Sequence, residues 1–207
     1  MKDILTKNPL FVGIDEKELA DELEKIGVKT KKYQKGEFIL LEGDEALDIG
    51  IVTKGSAYVV HENYWGERNI LTHLLPGDLF GEAFAVAGVE SLPISVLATE
   101  EAEIVFIRYQ NLIGSKILLN LLEIVAKKNI VLTKKMEHLS QRSIREKILS
   151  FLSEEARQKK SHQIEIPFNR QELADYLCVD RSALSRELGK MEEEGIVEFH
   201  KSNFTLQ

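Results

Sequence analysis

Cysteine occurs once in these 207 residues, at Cys178. A single thiol excludes an internal disulfide and cannot supply a four-thiolate zinc or iron-sulfur centre. Long hydrophobic runs are missing too: nothing approaches the roughly 18 to 20 apolar residues that span a bilayer. The first residues, Met1-Lys-Asp-Ile-Leu-Thr-Lys7, lack the apolar core and cleavage site of a signal peptide, so a cytoplasmic location is expected. Catalytic chemistry is thinly provided. There is no nucleophile with an oriented base and no phosphate-cradling glycine loop. His61 and His73 stand apart, with no His-x-His pair to build a cupin-type metal centre on facing strands. The chain is not expected to be an enzyme, and no metal site is expected.

Positive charge is in short supply overall, with a formal net charge of −7, which on its face argues against a nucleic-acid binder. Its distribution says otherwise. From Ser140 onward there are 11 Lys and Arg against 12 Asp and Glu, while the preceding residues hold 16 against 22. The acidity therefore lies mostly in the first two thirds, and within the last third it clusters at Glu192-Glu-Glu194, behind a pair of arginines.

What is present is the composition of a globular protein with a real core, 43% hydrophobic and 29% charged, long enough for one large domain and a small one. Three zones follow one another. An opening helix is expected from Leu10 to about Gly27, capped at Asp15 with Glu18 three residues on. From Lys31 to about Arg108 the pattern turns to short β-type runs at 38–41, 49–52, 57–60, 69–74, 94–97 and 104–107. Turns at Lys35-Gly36, Glu42-Gly-Asp44, Lys54-Gly55 and Pro76-Gly-Asp78 separate them, which suggests a β-barrel or β-roll. Tyr64 and Trp65, before Gly66, read as a hairpin tip carrying two aromatics.

A long helix is expected over 110–140. Leu118, Leu122, Val125, Asn129, Leu132, Met136 and Leu139 recur in steps of four and three, the seam of a coiled coil, with Asn129 at an a position where a buried asparagine fixes register and two-strandedness. This seam is read as a dimer interface. A second row, Ile117, Leu121, Ile124 and Val131, is available to pack on the chain's own roll. Ser143-Ile-Arg-Glu146 is a capping box that starts a new helix and puts a hinge near 141–143.

Near the end, Asn169 to Gly195 reads as a helix-turn-helix. Leu173, Ala174 and Leu177 repeat at helical spacing, Cys178-Val179 makes the break with Cys178 read as packing, and Asp180 caps a second helix whose buried side is Ala183, Leu184, Leu188 and Met191. Arg181, Ser182, Ser185 and Arg186 fall on the exposed front of that helix. An α-helix fits the major groove and arginine can donate two hydrogen bonds to guanine. After Gly195, strands at 196–200 and 204–206 joined through Lys201-Ser-Asn203 form a small wing.

Taken together, the whole chain resembles the cyclic-AMP receptor protein/fumarate-nitrate regulator (CRP/FNR) family of bacterial transcription factors, on the strength of Pro76-Gly-Asp-Leu-Phe-Gly-Glu82, the long helix and Arg181-Ser-Ala-Leu-Ser-Arg186. The resemblance implies an α+β architecture in three parts. Residues 1–109 form an N-terminal β-roll, a cyclic-nucleotide-binding-like double-stranded β-helix that senses an effector. Residues 110–140 form a dimerisation helix, and residues 141–207 a C-terminal winged helix-turn-helix. It implies a sequence-specific regulator binding double-stranded DNA at a pseudo-palindromic operator as a homodimer, with half-sites about 34 Å apart, and RNA polymerase as a further partner. Arg181 and Arg186 match the family arginines that approach bases and backbone, Ser185-Arg186 the Ser-Arg pair of the fumarate-nitrate branch, and Gln171 a phosphate contact, while His200, Lys201 and Ser202 occupy the wing. The family commonly has Glu directly after the first arginine where this chain has Ser182, so a different half-site is expected.

The cyclic-nucleotide branch places Gly-Glu at a short helix and an Arg-Ser pair about ten residues later to neutralise the phosphate. Gly81-Glu82 is present; the Arg-Ser pair is not, the region reading Ser91-Leu-Pro-Ile-Ser-Val96, and no Lys or Arg occurs between Gly81 and Ile107. A buried cyclic phosphate would lack its counter-charge. The expected effector is instead an unidentified apolar or weakly polar small molecule between Glu82, Ala83, Ile94 and Ser95 of the roll and Leu132 or Thr133 of the long helix. No cofactor is predicted; haem is the one alternative kept, with His61, His73 and His138 as candidate axial ligands. The competing functional reading is a ligand-binding or protein-interaction module of the same fold that has lost specific DNA binding.

Overall fold

The structure, a computed structural model, describes residues 2–15, 17–62 and 68–207. Tyr64, Trp65 and Gly66 lie outside these. The chain divides into two compact units, 1–127 and 128–207.

The first unit opens with α1 (Lys2–Lys7), a single 3₁₀ turn at Pro9–Phe11 and α2 (Leu19–Lys25). The long opening helix capped at Asp15 does not form. Asn8 caps the 3₁₀ turn by accepting from the Leu10 N–H at 3.0 Å, Gly13 then takes a left-handed φ of +80°, and the Asp15 carboxylate is spent on the Lys17 N–H. α2 begins only at Leu19, with Glu18 at its cap position and no side-chain bond.

Eight strands follow: β1 (Lys29–Tyr33), β2 (Phe38–Leu40), β3 (Asp48–Lys54), β4 (Ala57–Glu62), β5 (Arg68–Leu74), β6 (Leu79–Phe80), β7 (Ser95–Ala98) and β8 (Ala102–Arg108), with α3 (Glu82–Ala87) between β6 and β7. They make two antiparallel sheets of order β1-β8-β3-β6 and β2-β7-β4-β5, the expected β-roll. β3 and β8 are apolar almost throughout because both of their faces are covered. Alternate residues point to opposite faces of a strand, so Ile49, Ile51, Val105 and Ile107 pack with Leu10, Phe11, Leu19 and Leu121, while Val52, Ile104 and Phe106 pack with residues of the second sheet such as Val96 and Ala98. The interior between the sheets is closed by the Phe80 and Phe106 rings, edge to face at 6.3 Å. Gly50 makes room for this: a Cβ there would fall 2.1 Å from the Phe80 ring. β1, Lys-Thr-Lys-Lys-Tyr, carries no apolar alternation and escapes sequence reading. It is held by backbone pairing to β8 along one edge, where its lysines discourage a further strand from adding.

A 3₁₀ turn at Tyr109–Leu112 and Gly114, with φ +84°, delay α4 to Lys116–Ser140, so the long helix starts six residues later than expected. Ile117 and Leu121 are fully buried in the first unit's core, with Leu118, Ile124 and Val125 packed partly against it. Val131, expected to continue that row, is 63% exposed.

The second unit contains the end of α4, then α5 (Ile144–Lys159), β9 (Gln163–Glu165), α6 (Arg170–Tyr176), α7 (Arg181–Glu193), β10 (Val197–His200) and β11 (Asn203–Leu206). β9, unforeseen in the sequence, extends the wing to a three-stranded antiparallel sheet of order β10-β11-β9. The Ser143 capping box closes in both directions: Ser143 Oγ accepts from the Glu146 N–H at 3.1 Å and Glu146 accepts from the Ser143 N–H at 3.0 Å. Within this unit α4 is tied to α5 by Lys134 and Glu154 at 2.7 Å. Hydrogen bonds from Lys134, Gln158 and Arg157 hold the Glu154 carboxyl down at about 2. Buried His138 faces Ser150 Oγ at 3.0 Å and the Phe151 ring.

Candidate nucleic-acid interface

The helix-turn-helix is assembled from two capped helices on one apolar core. Asn169 caps α6, accepting from the Gln171 and Glu172 N–H groups at 2.9 and 3.0 Å, and Glu172 closes the box by accepting from the Asn169 N–H at 2.7 Å. Leu173, Ala174 and Leu177 are buried beneath it. The turn is made by Cys178, at φ +51°, after which the Val179 N–H donates back to the Ala174 carbonyl at 3.0 Å. Such a backward bond across a left-handed residue ends a helix sharply. Cys178 is exposed and does not fill the core as expected; Leu177 and half-buried Val179 do so on either side.

Asp180 caps α7, its carboxylate accepting from the Ala183 N–H at 2.9 Å and from the Ser182 hydroxyl. Leu184, Leu188 and Met191 are wholly buried, which fixes the rotation of α7 and leaves Arg181, Ser182, Ser185 and Arg186 exposed on its first two turns. The back of α7 is pinned by a residue the sequence reading did not single out. Arg145, near the start of α5, donates to Glu187 at 2.6 Å and to both carboxylate oxygens of Glu194 at 2.6 and 2.8 Å. These bonds raise the Arg145 pKa and hold the Glu194 carboxyl below its ordinary range. The seven-residue spacing of Glu187 and Glu194, which puts both on one helical face, is the signal that could have found it. The acidic run behind the arginines is thus partly neutralised inside the unit: Glu194 by Arg145, while Glu192 accepts from the Phe199 N–H at 3.4 Å.

Gln171 is exposed on the first turn of α6, its amide donating to Asp175 at 2.8 Å. Arg170, also missed, lies half-buried with its guanidinium 4.8 Å from the Phe199 ring centre and 5.7 Å from that of Phe204, so it joins α6 to the wing, and burial lowers its pKa. In the wing, His200 and Lys201 are exposed, Lys201 at φ +55°. Ser202 is turned inward, its hydroxyl donating to the Phe168 carbonyl at 3.0 Å.

Of the effector residues, Glu82 is buried at the start of α3 behind left-handed Gly81, Ala83 is exposed, Ile94 belongs to the roll's inner core, and Ser95 Oγ accepts from the Glu42 N–H at 2.9 Å. In the second unit Leu132 and Thr133 are exposed, and the Thr133 hydroxyl donates to the Asn129 carbonyl at 2.9 Å. An open groove of about 550 Å³ elsewhere on the first unit, floored by Ala46, Leu47, Val86 and Tyr109, includes none of these six. Along the seam, Leu122, Asn129, Leu132 and Met136 are exposed, Leu139 is half-buried, and Leu118 and Val125 lean on the roll's core. His61 is exposed on β4, and His73 stands 4.8 Å from the Tyr58 ring. No group of three or more His, Cys, Asp or Glu among the described residues is arranged to hold a metal ion.

Two family models match. That described as Cyclic nucleotide-binding domain covers residues 30–114 and that described as Crp-like helix-turn-helix domain covers residues 146–207. Transcriptional activator protein FnrA of Stutzerimonas stutzeri is 24% identical over 200 residues, 92% of this chain and 80% of that protein. Transcriptional activator protein FnrL of Cereibacter sphaeroides is 26% identical over 202 residues, 88% and 77% of the two chains. The Catabolite Activator Protein of Thermus thermophilus shares the fold at a TM-score of 0.58 and 23% identity, over 97% of this chain and 94% of that one.

Proposed function

The chain belongs to the CRP/FNR family of transcription regulators, and on that premise we propose that it acts as a dimer which sets the first two turns of each α7 into successive major grooves of a pseudo-palindromic operator. The observation that carries this reading is the front of α7: Arg181, Ser182, Ser185 and Arg186 exposed together while Leu184, Leu188 and Met191 anchor the opposite side. Arginine supplies the donors for guanine O6 and N7, and exposed Gln171, His200 and Lys201 suit phosphate contacts that fix register. For the dimer, support comes from the apolar residues left exposed along α4, Leu122, Leu132 and Met136 at 47%, 62% and 69%, at the spacing of a two-stranded seam.

The effector in this reading is a small molecule other than a cyclic nucleotide. The stretch that would supply a phosphate-binding cation instead turns Leu92 and Ile94 into the core, 3% and 7% exposed, and there is no Lys or Arg from Glu82 to Phe106. Coupling requires only that the effector bind one arrangement of the chain better than another; factors of about 5 to 150 correspond to about 1 to 3 kcal/mol. RNA polymerase is the partner through which such a regulator acts on transcription.

The test is selection of genomic DNA fragments by the purified full chain. Recovery of a two-fold symmetric site, bound with an affinity that falls steeply as salt rises, supports the reading. Equal retention of all fragments at every salt concentration overturns it.

A further inference from the structure

We propose that Ser182 reads the major groove purely as a hydrogen-bond acceptor, and so selects a base bearing an exocyclic amine, adenine or cytosine, at the half-site position it faces. The proposal rests on the DNA-reading function above and adds a rule for one base to it. A serine hydroxyl ordinarily specifies little, since its one donor and two acceptor sites rotate to suit whatever they meet. Here the proton is committed. Ser182 donates it to the Asp180 carboxylate, which at the same time accepts the Ala183 N–H to cap α7. The bonds from Ser182 and Ala183 hold the Asp180 carboxyl below its ordinary range, so it is ionised and accepts only. Asp180 cannot return a proton to Ser182, and turning the hydroxyl away would give up its charge-assisted bond to the carboxylate.

What Ser182 presents outward is therefore lone pairs, on an exposed first turn with Arg186 four residues on and on the same face. The two side chains ask for opposite things. Arg186 donates and seeks guanine O6 and N7, whereas Ser182 accepts and seeks adenine N6 or cytosine N4. Each base pair shows one amine and one carbonyl to the major groove. An acceptor alone would not choose between orientations, but the guanines read by the arginines fix which strand lies opposite Ser182. The structural reason that the family's usual Glu can be replaced here without losing an acceptor is thus the neighbouring Asp180, which makes a serine behave as one.

The experiment compares base preferences of the intact wild-type chain with those of Ser182→Ala, Ser182→Thr and Asp180→Gly, using randomised half-sites. The wild type is expected to show one adenine-or-cytosine position with a preference of about two- to tenfold, the range of a single hydrogen bond. Ser182→Ala loses that preference and keeps the guanines, and Ser182→Thr retains it. Both bonds end on the same carboxylate oxygen of Asp180. Gly at that cap position costs the helix little and offers no side-chain oxygen to take the serine proton, so Asp180→Gly broadens the same position to guanine and thymine. An enriched site unchanged in Ser182→Ala, a guanine or thymine preference that depends on Ser182, or an unaltered preference in Asp180→Gly each overturns the proposal. Absence of any enriched site in the wild type is a separate result: it overturns the DNA-reading function, and this rule with it.

Discussion

Arg186 lies on the exposed side of α7, one residue before Glu187, whose carboxylate is taken up by Arg145 at 2.6 Å. Replacing Arg186 by Ala removes a side chain that supports nothing in the buried core, so thermal unfolding should be unchanged while discrimination between operator and unrelated DNA falls by about 1–3 kcal/mol; fluorescence anisotropy with both DNAs measures it. His138 behaves in the opposite way. Burial lowers its pKa from the ordinary 6.5, so the folded chain keeps the ring neutral where the unfolded chain takes up a proton. The unfolded state then binds more protons, and stability must fall as pH drops below 6.5 and be restored above it. Urea titrations between about pH 5.5 and 7.5 should show this slope in the wild type and a smaller one in His138→Gln.

At the scale of elements, α4 serves two ends of one problem: its first turns complete the core of the roll with Ile117 and Leu121, and its later turns present an apolar seam. Asn129→Leu should keep or raise the stability of the proposed dimer while relaxing the register that an asparagine covered by a second helix would impose; sedimentation of the variant checks this, and a monomer would mean the seam lies elsewhere. Helices whose caps are written in side chains, at Ser143, Asn169 and Asp180, were legible to within a residue or two, as were strands such as β3 and β8 that bury both faces. α2 was misread because the Asp15-to-Glu18 spacing imitates a capping box that a left-handed Gly13 and a 3₁₀ turn displace. β1 and β9 carry little apolar signal of their own, being held by pairing with partners distant in sequence, which local pattern cannot reveal. The Arg145 clamp left only the spacing of Glu187 and Glu194 as a trace in the sequence, and Arg145 itself lies 42 and 49 residues from them. Ser202 and Cys178 were assigned roles from position, and only the folded turn decides that one points inward and the other outward.

For the molecule as a whole, the distribution of charge and the filled interior of the roll bear on what it answers to. With no cation from Glu82 to Phe106 and aromatic rings closing the space between the sheets, cyclic AMP added in large excess should leave the melting temperature unchanged, whereas a true ligand at a hundred times its dissociation constant would stabilise by about 2.7 kcal/mol. Differential scanning fluorimetry separates these outcomes. The Arg145 bonds to Glu187 and Glu194 carry a different lesson, about portability. A recognition helix lifted out at Asn169 would leave those two carboxylates facing each other without their shared cation, on the side of the helix opposite the groove. The smallest cassette that keeps its own electrostatics therefore begins at Ser143. Chimeras joined at that residue should carry operator choice into a foreign sensor, and chimeras joined after α5 should carry it only where the host supplies an arginine in the same place.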